Sequence, residues 1–383
     1  MSGGSVFWNG TKGTITDCTF TGNDAPYGGC VNWFAADGTL INSIFTGNAA
    51  DYGGCVDWAG INGNIKDCIF TNNSARVHGG CIWWSGINGT ISDCIFTGNT
   101  AKTYGGAVYW GANKGSVIGS IFTNNTANSR SGAIHWIGNN GQVASSTFIG
   151  NAATTSGGGC IRWEGDNGSI SSSTFTDNAA ANYGGAIHWN GNNGIITGSN
   201  FTNNFNVNNN GGGGAINWYG NNGAITGSIF TNNTSNGGGA IIWAGANGSI
   251  SDSTFKDNTA TNGGAVAWQW SVNDGVLINS TFTGNTATNG GGVYWAATNG
   301  TIANCTFTSN TATNNGGAVD WTGANSTMSN CNFKDNHASY GDNVYWTWSV
   351  EEFLNKYTQI NDYDYVWIRN GIGTPSKTIV LNK

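Results

Sequence analysis

GGAIHWNGNNGIITGSNFTNN, residues 184–204, decides the fold. It has no helical period. Its apolar residues alternate over three short segments: Ala186-Ile187-His188-Trp189, Ile195-Ile196-Thr197 and Ser199-Asn200-Phe201-Thr202. Gly and Asn punctuate them, and period-two alternation with such punctuation reads as strand–turn–strand. The stretch recurs along the chain. Trp residues from Trp8, Trp33, Trp58 and Trp84 to Trp346 mark fourteen units with a mean step of 26 residues. Three short strands per unit make one turn of a solenoid. The expected fold is all-β, a right-handed parallel β-helix of about fourteen coils over residues 1–346. Residues 347–383 are expected to form a C-terminal cap, with a short helix at 350–358 opened by the capping-box residues Ser349 and Glu352. Such a cap covers the open strand edges of the last coil.

Composition agrees. Gly is 63 of 383 residues, Pro only 2, Trp 18, and charged residues 9%. Few charges and many aromatics argue against disorder, and Gly without a three-residue period argues against collagen. The net charge is −7 with no basic cluster, so no nucleic-acid partner is expected. No apolar run is long enough to span a bilayer, and no signal peptide is visible. Met1-Ser2-Gly3-Gly4 opens inside a repeat, so the chain reads as cut from something longer.

Columns assign faces. Phe20, Phe45, Phe70 and Phe96 begin a column that is Phe through Phe333, and Ile15, Leu40, Ile65 and Ile91 begin one that is always apolar. Both point inward, as does a Ser/Cys column. Asn23, Asn48, Asn73 and Asn99 begin an Asn ladder whose amides satisfy corner backbone groups and one another. Trp shares parity with the apolar residue two before it, which favours an inward position; an exposed aromatic ladder is the alternative. Asn-Gly pairs such as Asn62-Gly63 and Asn193-Gly194 supply the positive-φ corners. The nine Cys replace Ala or Ser in their columns, so they read as packing groups. They lack C-x-x-C spacing, so no metal or cofactor is expected.

Two tetrads carry a family resemblance. G-G-[AC]-[IV] occurs intact in ten units, as at Gly184-Gly185-Ala186-Ile187, and F-x-x-N follows in every coil through Phe333. The pair resembles the repeat of the chlamydial polymorphic membrane proteins. It also looks like the adhesin-like surface proteins of methanogenic archaea. The resemblance implies a β-helix, export to the cell surface, and adhesion to a glycan or protein receptor on another cell. The autotransporter barrel of the chlamydial proteins is missing.

Function is sought in columns that vary. The residue before each Trp varies freely and has outward parity. Over coils four to eight it reads Trp83, Tyr109, His135, Arg162 and His188, with Glu164 at the same parity as Arg162. Aromatics that stack and charges that orient make this stripe the candidate ligand-binding face. A polysaccharide lyase or glycosidase is the alternative; it would use Glu164 and Asp166 as acid and base, with His135 or His188 assisting. A third reading is a self-associating filament through the uncapped N-terminal end. Ice binding needs a regular Thr array, and Ile residues, Lys256 and Lys334 interrupt it. The insertion at Phe205–Gly212 is a further loop candidate.

Overall fold

The computed structural model describes residues 4–208, 211–269 and 272–347, together with the backbone of 360–361, 364–368 and 377–381. The chain divides into two compact units, Met1–Ile195 and Ile196–Lys383.

In the first unit every coil contributes three strands of three residues, each parallel to its counterpart in the next coil. Ile82–Trp84 lies between Val56–Trp58 and Val108–Trp110. Asn64–Lys66 pairs with Thr90–Ser92, and Ile69–Thr71 with Ile95–Thr97. Like meets like: Ile65 opposite Ile91, Phe70 opposite Phe96, Trp84 opposite Trp110. The second unit repeats the layout, with Ile241–Trp243 between Ile216–Trp218 and Val266–Trp268. A fourth strand was not expected. It runs beside the Ala column, as in Ala49–Tyr52 against Ser74–His78. At two to five residues with mixed polarity, it shows no alternation to read.

The Trp column faces inward. Trp33, Trp58, Trp84, Trp110, Trp136 and Trp163 are fully buried. Their rings stack at 4.6 to 5.0 Å, the separation of neighbouring strands. The corner follows from this stack. At the corner after Trp, in pairs such as Asn62-Gly63 and Asn193-Gly194, it is Asn that takes the left-handed conformation, with φ of 56° at both Asn62 and Asn193. Gly serves another purpose: a Cβ on Gly63 or Gly194 would fall on Nε1 and Cε2 of the indole beside it.

The Asn ladder is complete within each unit. Asn73 Nδ2 donates to Phe45 O and to Asn99 Oδ1, both at 3.0 Å, and Asn73 N donates to Asn99 Oδ1 at 2.9 Å. All nine Cys are free thiols, eight of them buried.

The helix expected over 350–358 lies outside the described residues. Beyond it, Asp364–Ile368 pairs parallel to Val344–Trp346, and Lys377–Leu381 pairs antiparallel to Asp364–Ile368.

Candidate ligand-binding face

Strand alternation points the residue before each Trp away from the Trp core, and exposure was expected. The structure corrects this. Phe7 is 52% exposed, but Asn32, Asp57, His135 and His188 are buried, and Trp83, Tyr109 and Arg162 are half-buried. The cover is the segment before each Gly-Gly. Its turn lies against the neighbouring Trp strand: a Cβ on Gly53, where φ is +62°, would meet Val56 O and approach Trp83 N. The residue just before the turn then lies over the column.

That residue is Tyr27, Tyr52, His78 and Tyr104 in successive coils, then Arg130. From Tyr52 onward each ring covers the column residue of the following coil. Tyr52 lies 4.9 Å from Trp83, His78 stacks on Tyr109 at 5.0 Å, and Tyr104 stacks on His135 at 4.9 Å. The covering rings also meet one another, Tyr27 with Tyr52 at 5.4 Å and His78 with Tyr104 at 4.6 Å. Two interleaved aromatic columns result, the outer one half-exposed.

The face then turns polar. Arg130 Cζ sits 5.2 Å from the centre of the Tyr104 ring, a cation–π contact. Its guanidinium reaches Glu164 at 3.8 Å. Arg162 Nε donates to the same carboxylate. Asn190 Nδ2 donates to Glu164 Oε2 at 2.7 Å, and Asn190 Oδ1 meets His188 Nε2 at 2.8 Å. Tyr183 packs edge-on against His188 at 4.4 Å.

The six residues read from the sequence are therefore brought along one face, mostly as its inner layer. Sequence reasoning missed the outer layer: Tyr27, Tyr52, His78, Tyr104, Arg130 and Asn190. The signal was available for the first four, an aromatic run immediately before Gly-Gly. The expected pairing of Glu164 with Asp166 is not supported by the contacts. Asp166 is engaged in a corner ladder, its Oδ1 accepting from Asn192 N at 2.7 Å. The Phe205–Gly212 insertion lies partly outside the described residues; Phe205 and Val207 in it are exposed.

Burial and ion pairing set the protonation states along this face. Burial pushes His135 and His188 down to about 3, so both rings are neutral at physiological pH. Burial raises Glu164, but donation from Asn190 and Arg162, with the charge of Arg162, outweighs it and holds the carboxylate below its usual value. A general acid needs a proton to give, and Glu164 is held as a carboxylate with one hydrogen bond to each oxygen, from Arg162 and from Asn190.

Asp57 in the same column behaves oppositely. Burial alone pushes its carboxyl up from 3.8 to about 7. Folding therefore takes up a proton at Asp57. The stability that this provides is full below about pH 4 and is lost as pH rises through 7. Asp57→Asn should match the parent in thermal melts at pH 4 and melt higher than it at pH 8. Equal melting of both proteins at pH 8 would show that Asp57 is solvated.

Three stretches of the chain, residues 93–109, 172–188 and 304–320, match the Chlamydia polymorphic membrane protein repeat. Each runs from the corner before the Ser/Cys column to the residue before Trp, here Tyr109, His188 and Asp320. Among curated proteins none matches the chain. Similar solved structures include a PL6 alginate lyase in complex with a trisaccharide, 12% identical, with a TM-score of 0.54 over 96% of this chain and 85% of that one. Alginate lyase AlyF-OU02 with G6 is 10% identical, with a TM-score of 0.45 over 99% of this chain and 86% of that one. The chain is thus similar to the Chlamydia polymorphic membrane proteins in its repeat, and to an alginate lyase in fold alone.

Proposed function

We propose that this chain is the binding region of a surface adhesin, and that it holds a glycan on another cell without transforming it. The half-exposed ring column of Tyr27, Tyr52, His78 and Tyr104 carries the reading. The ring faces are stacked on one another and on the column beneath. The column therefore offers a row of ring edges and phenol hydroxyls at strand spacing to the C–H groups and hydroxyls of successive sugar residues, and Arg130 at the end of the run offers further donors. The rings are braced from beneath by Trp83, Tyr109 and His135, so little order is lost on binding. The polymorphic membrane protein repeat supports a surface location. The likeness to an alginate lyase supports only the fold, and Glu164 is held as a carboxylate by Arg162 and Asn190.

The test incubates the protein with a panel of polysaccharides and measures retained protein and released sugar in one tube. Retention without release is expected. Tyr52→Ala with Tyr104→Ala should weaken retention about a hundredfold, near tenfold for each lost ring-edge and hydroxyl contact. Sugar release that disappears in Glu164→Gln would replace this reading with the lyase or glycosidase. Retention only by proteins of a host cell surface would replace the glycan with a protein receptor.

A further inference from the structure

We infer that the second unit carries a separate pocket for a single neutral sugar residue. In the first unit the space between the Gly-Gly segments and the Trp strands is packed with rings from both sides. In the second unit both sides shrink. The column before Trp passes through Ile242 and Ala267 before it reaches Tyr294, and Gly212 and Gly237 stand where Tyr or His stood before Gly-Gly. The result is a cavity of about 160 Å³, lined among others by Asn236, Ile242, Asn262, Ala267, Gln269 and Tyr294.

Its chemistry is specific. Ile242 and Ala267 form a buried apolar floor. Tyr294, half-buried, is an aromatic wall. Asn236, Asn262 and Gln269 bring amides, which offer both donors and acceptors. Two of them are already oriented. Asn262 Oδ1 accepts from Asn289 Nδ2 at 3.1 Å, which leaves its amide N–H pair for a ligand. Asn236 Oδ1 accepts from Thr261 Oγ1 at 3.2 Å. An apolar floor, a stacking wall and convergent amides match a pyranose, which has C–H faces and a hydroxyl rim.

Size and charge narrow the class. The cavity is smaller than the roughly 300–1,000 Å³ of pockets that enclose drug-sized ligands, so it takes one sugar residue, free or at a chain end. It has room for about five waters at ~30 Å³ each, a number that a hexose can displace and replace with its own hydroxyls. Among the described residues no charged side chain lines it, so a carboxylate brought here would lose its hydration without gaining a cation. Uronic acids are therefore disfavoured, in contrast to the alginate that gives the fold-similar lyase its name. The site lies wholly within the second unit and does not rest on the ring face of the first.

The experiment titrates the full chain with methyl glycosides of glucose, galactose, mannose and N-acetylglucosamine, and with galacturonate and mannuronate, by ligand-observed NMR and calorimetry. At least one neutral glycoside should bind with a millimolar Kd, and the uronates at least tenfold more weakly. Ala267→Tyr, which fills the pocket as rings fill it in the first unit, should abolish binding. Tyr294→Ala, at the half-exposed wall, should weaken it at least tenfold and provides a second variant if the first fails to fold. Gly22→Asn, at an open corner of the first unit, should leave it unchanged. The inference is overturned if no neutral glycoside binds, if uronates bind equally, or if binding survives both pocket variants.

Discussion

A methyl group placed on Gly168 is expected to destabilise the coil that holds Trp163 by about 3 kcal/mol, the upper end of what overpacking costs. Gly168 follows Asn167, the left-handed corner residue with φ of 56°. A Cβ there would fall on Cε2, Nε1 and Cζ2 of Trp163. The indole cannot retreat. It lies fully buried between Trp136 at 4.7 Å and Trp189 at 4.8 Å, within 3° of parallel to each. A shift of one ring is passed to its neighbours, because interiors are close-packed. Gly22→Asn is the control. Gly22 has φ of +66° and open space where a Cβ would sit. Its column elsewhere carries Asn72 and Asn124, each at φ 53°. That change should cost under about 0.5 kcal/mol. Urea unfolding followed by Trp fluorescence separates the two; equal midpoints for Gly168→Ala and Gly22→Asn would refute the indole argument.

Asn125→Leu should cost more, on the order of 3–5 kcal/mol. One amide side chain closes four hydrogen bonds. Nδ2 donates to Phe96 O and to Asn151 Oδ1, both at 3.0 Å. Oδ1 accepts from Asn99 N at 3.0 Å and from Asn99 Nδ2 at 2.9 Å. Leu has similar bulk but removes all four bonds from the buried ladder. Asn99 N loses its acceptor, while Asn99 Nδ2 keeps only Phe70 O and Asn151 Oδ1 only the backbone N of residue 125. Each lost bond at a buried group costs about 1–3 kcal/mol, not fully additively. The exposed corner residue Asn139 contrasts with it. Its Oδ1 makes one bond, to Asp166 N at 2.8 Å, so Asn139→Ala should cost about 1 kcal/mol or less. Amide hydrogen exchange would localise the damage: protection at Asn99 should be lost in Asn125→Leu and kept in Asn139→Ala.

The fold could be read from the sequence because each core column repeats one chemistry. Phe45, Phe70 and Phe96 occupy the same place in successive coils, and a one-coil period leaves no other register. The inward Trp followed from parity with Ile82 and Val108. Parity failed at the residue between them. It tells which side of a strand His135 occupies, but not what lies on that side. The cover is Tyr104, set by the left-handed turn at Gly105 and belonging to the preceding coil, and no pattern within one strand encodes that distance. The fourth strand stayed hidden for a related reason: Thr126–Ala127 is held by its neighbours in adjacent coils, not by any alternation of its own.

The pairing pattern also determines how this chain responds to force. Ile65 pairs across to Leu40 and Ile91, segments 25 and 26 residues away, and the strand ladders latch each coil to the coils before and after it. Tension on a terminal coil unzips that coil and leaves the ones behind it latched. Each coil released adds roughly 90 Å of slack, at 3.3–3.6 Å per residue. Under load such a chain lengthens in discrete steps, a tether that gives ground one turn at a time while the remaining turns hold.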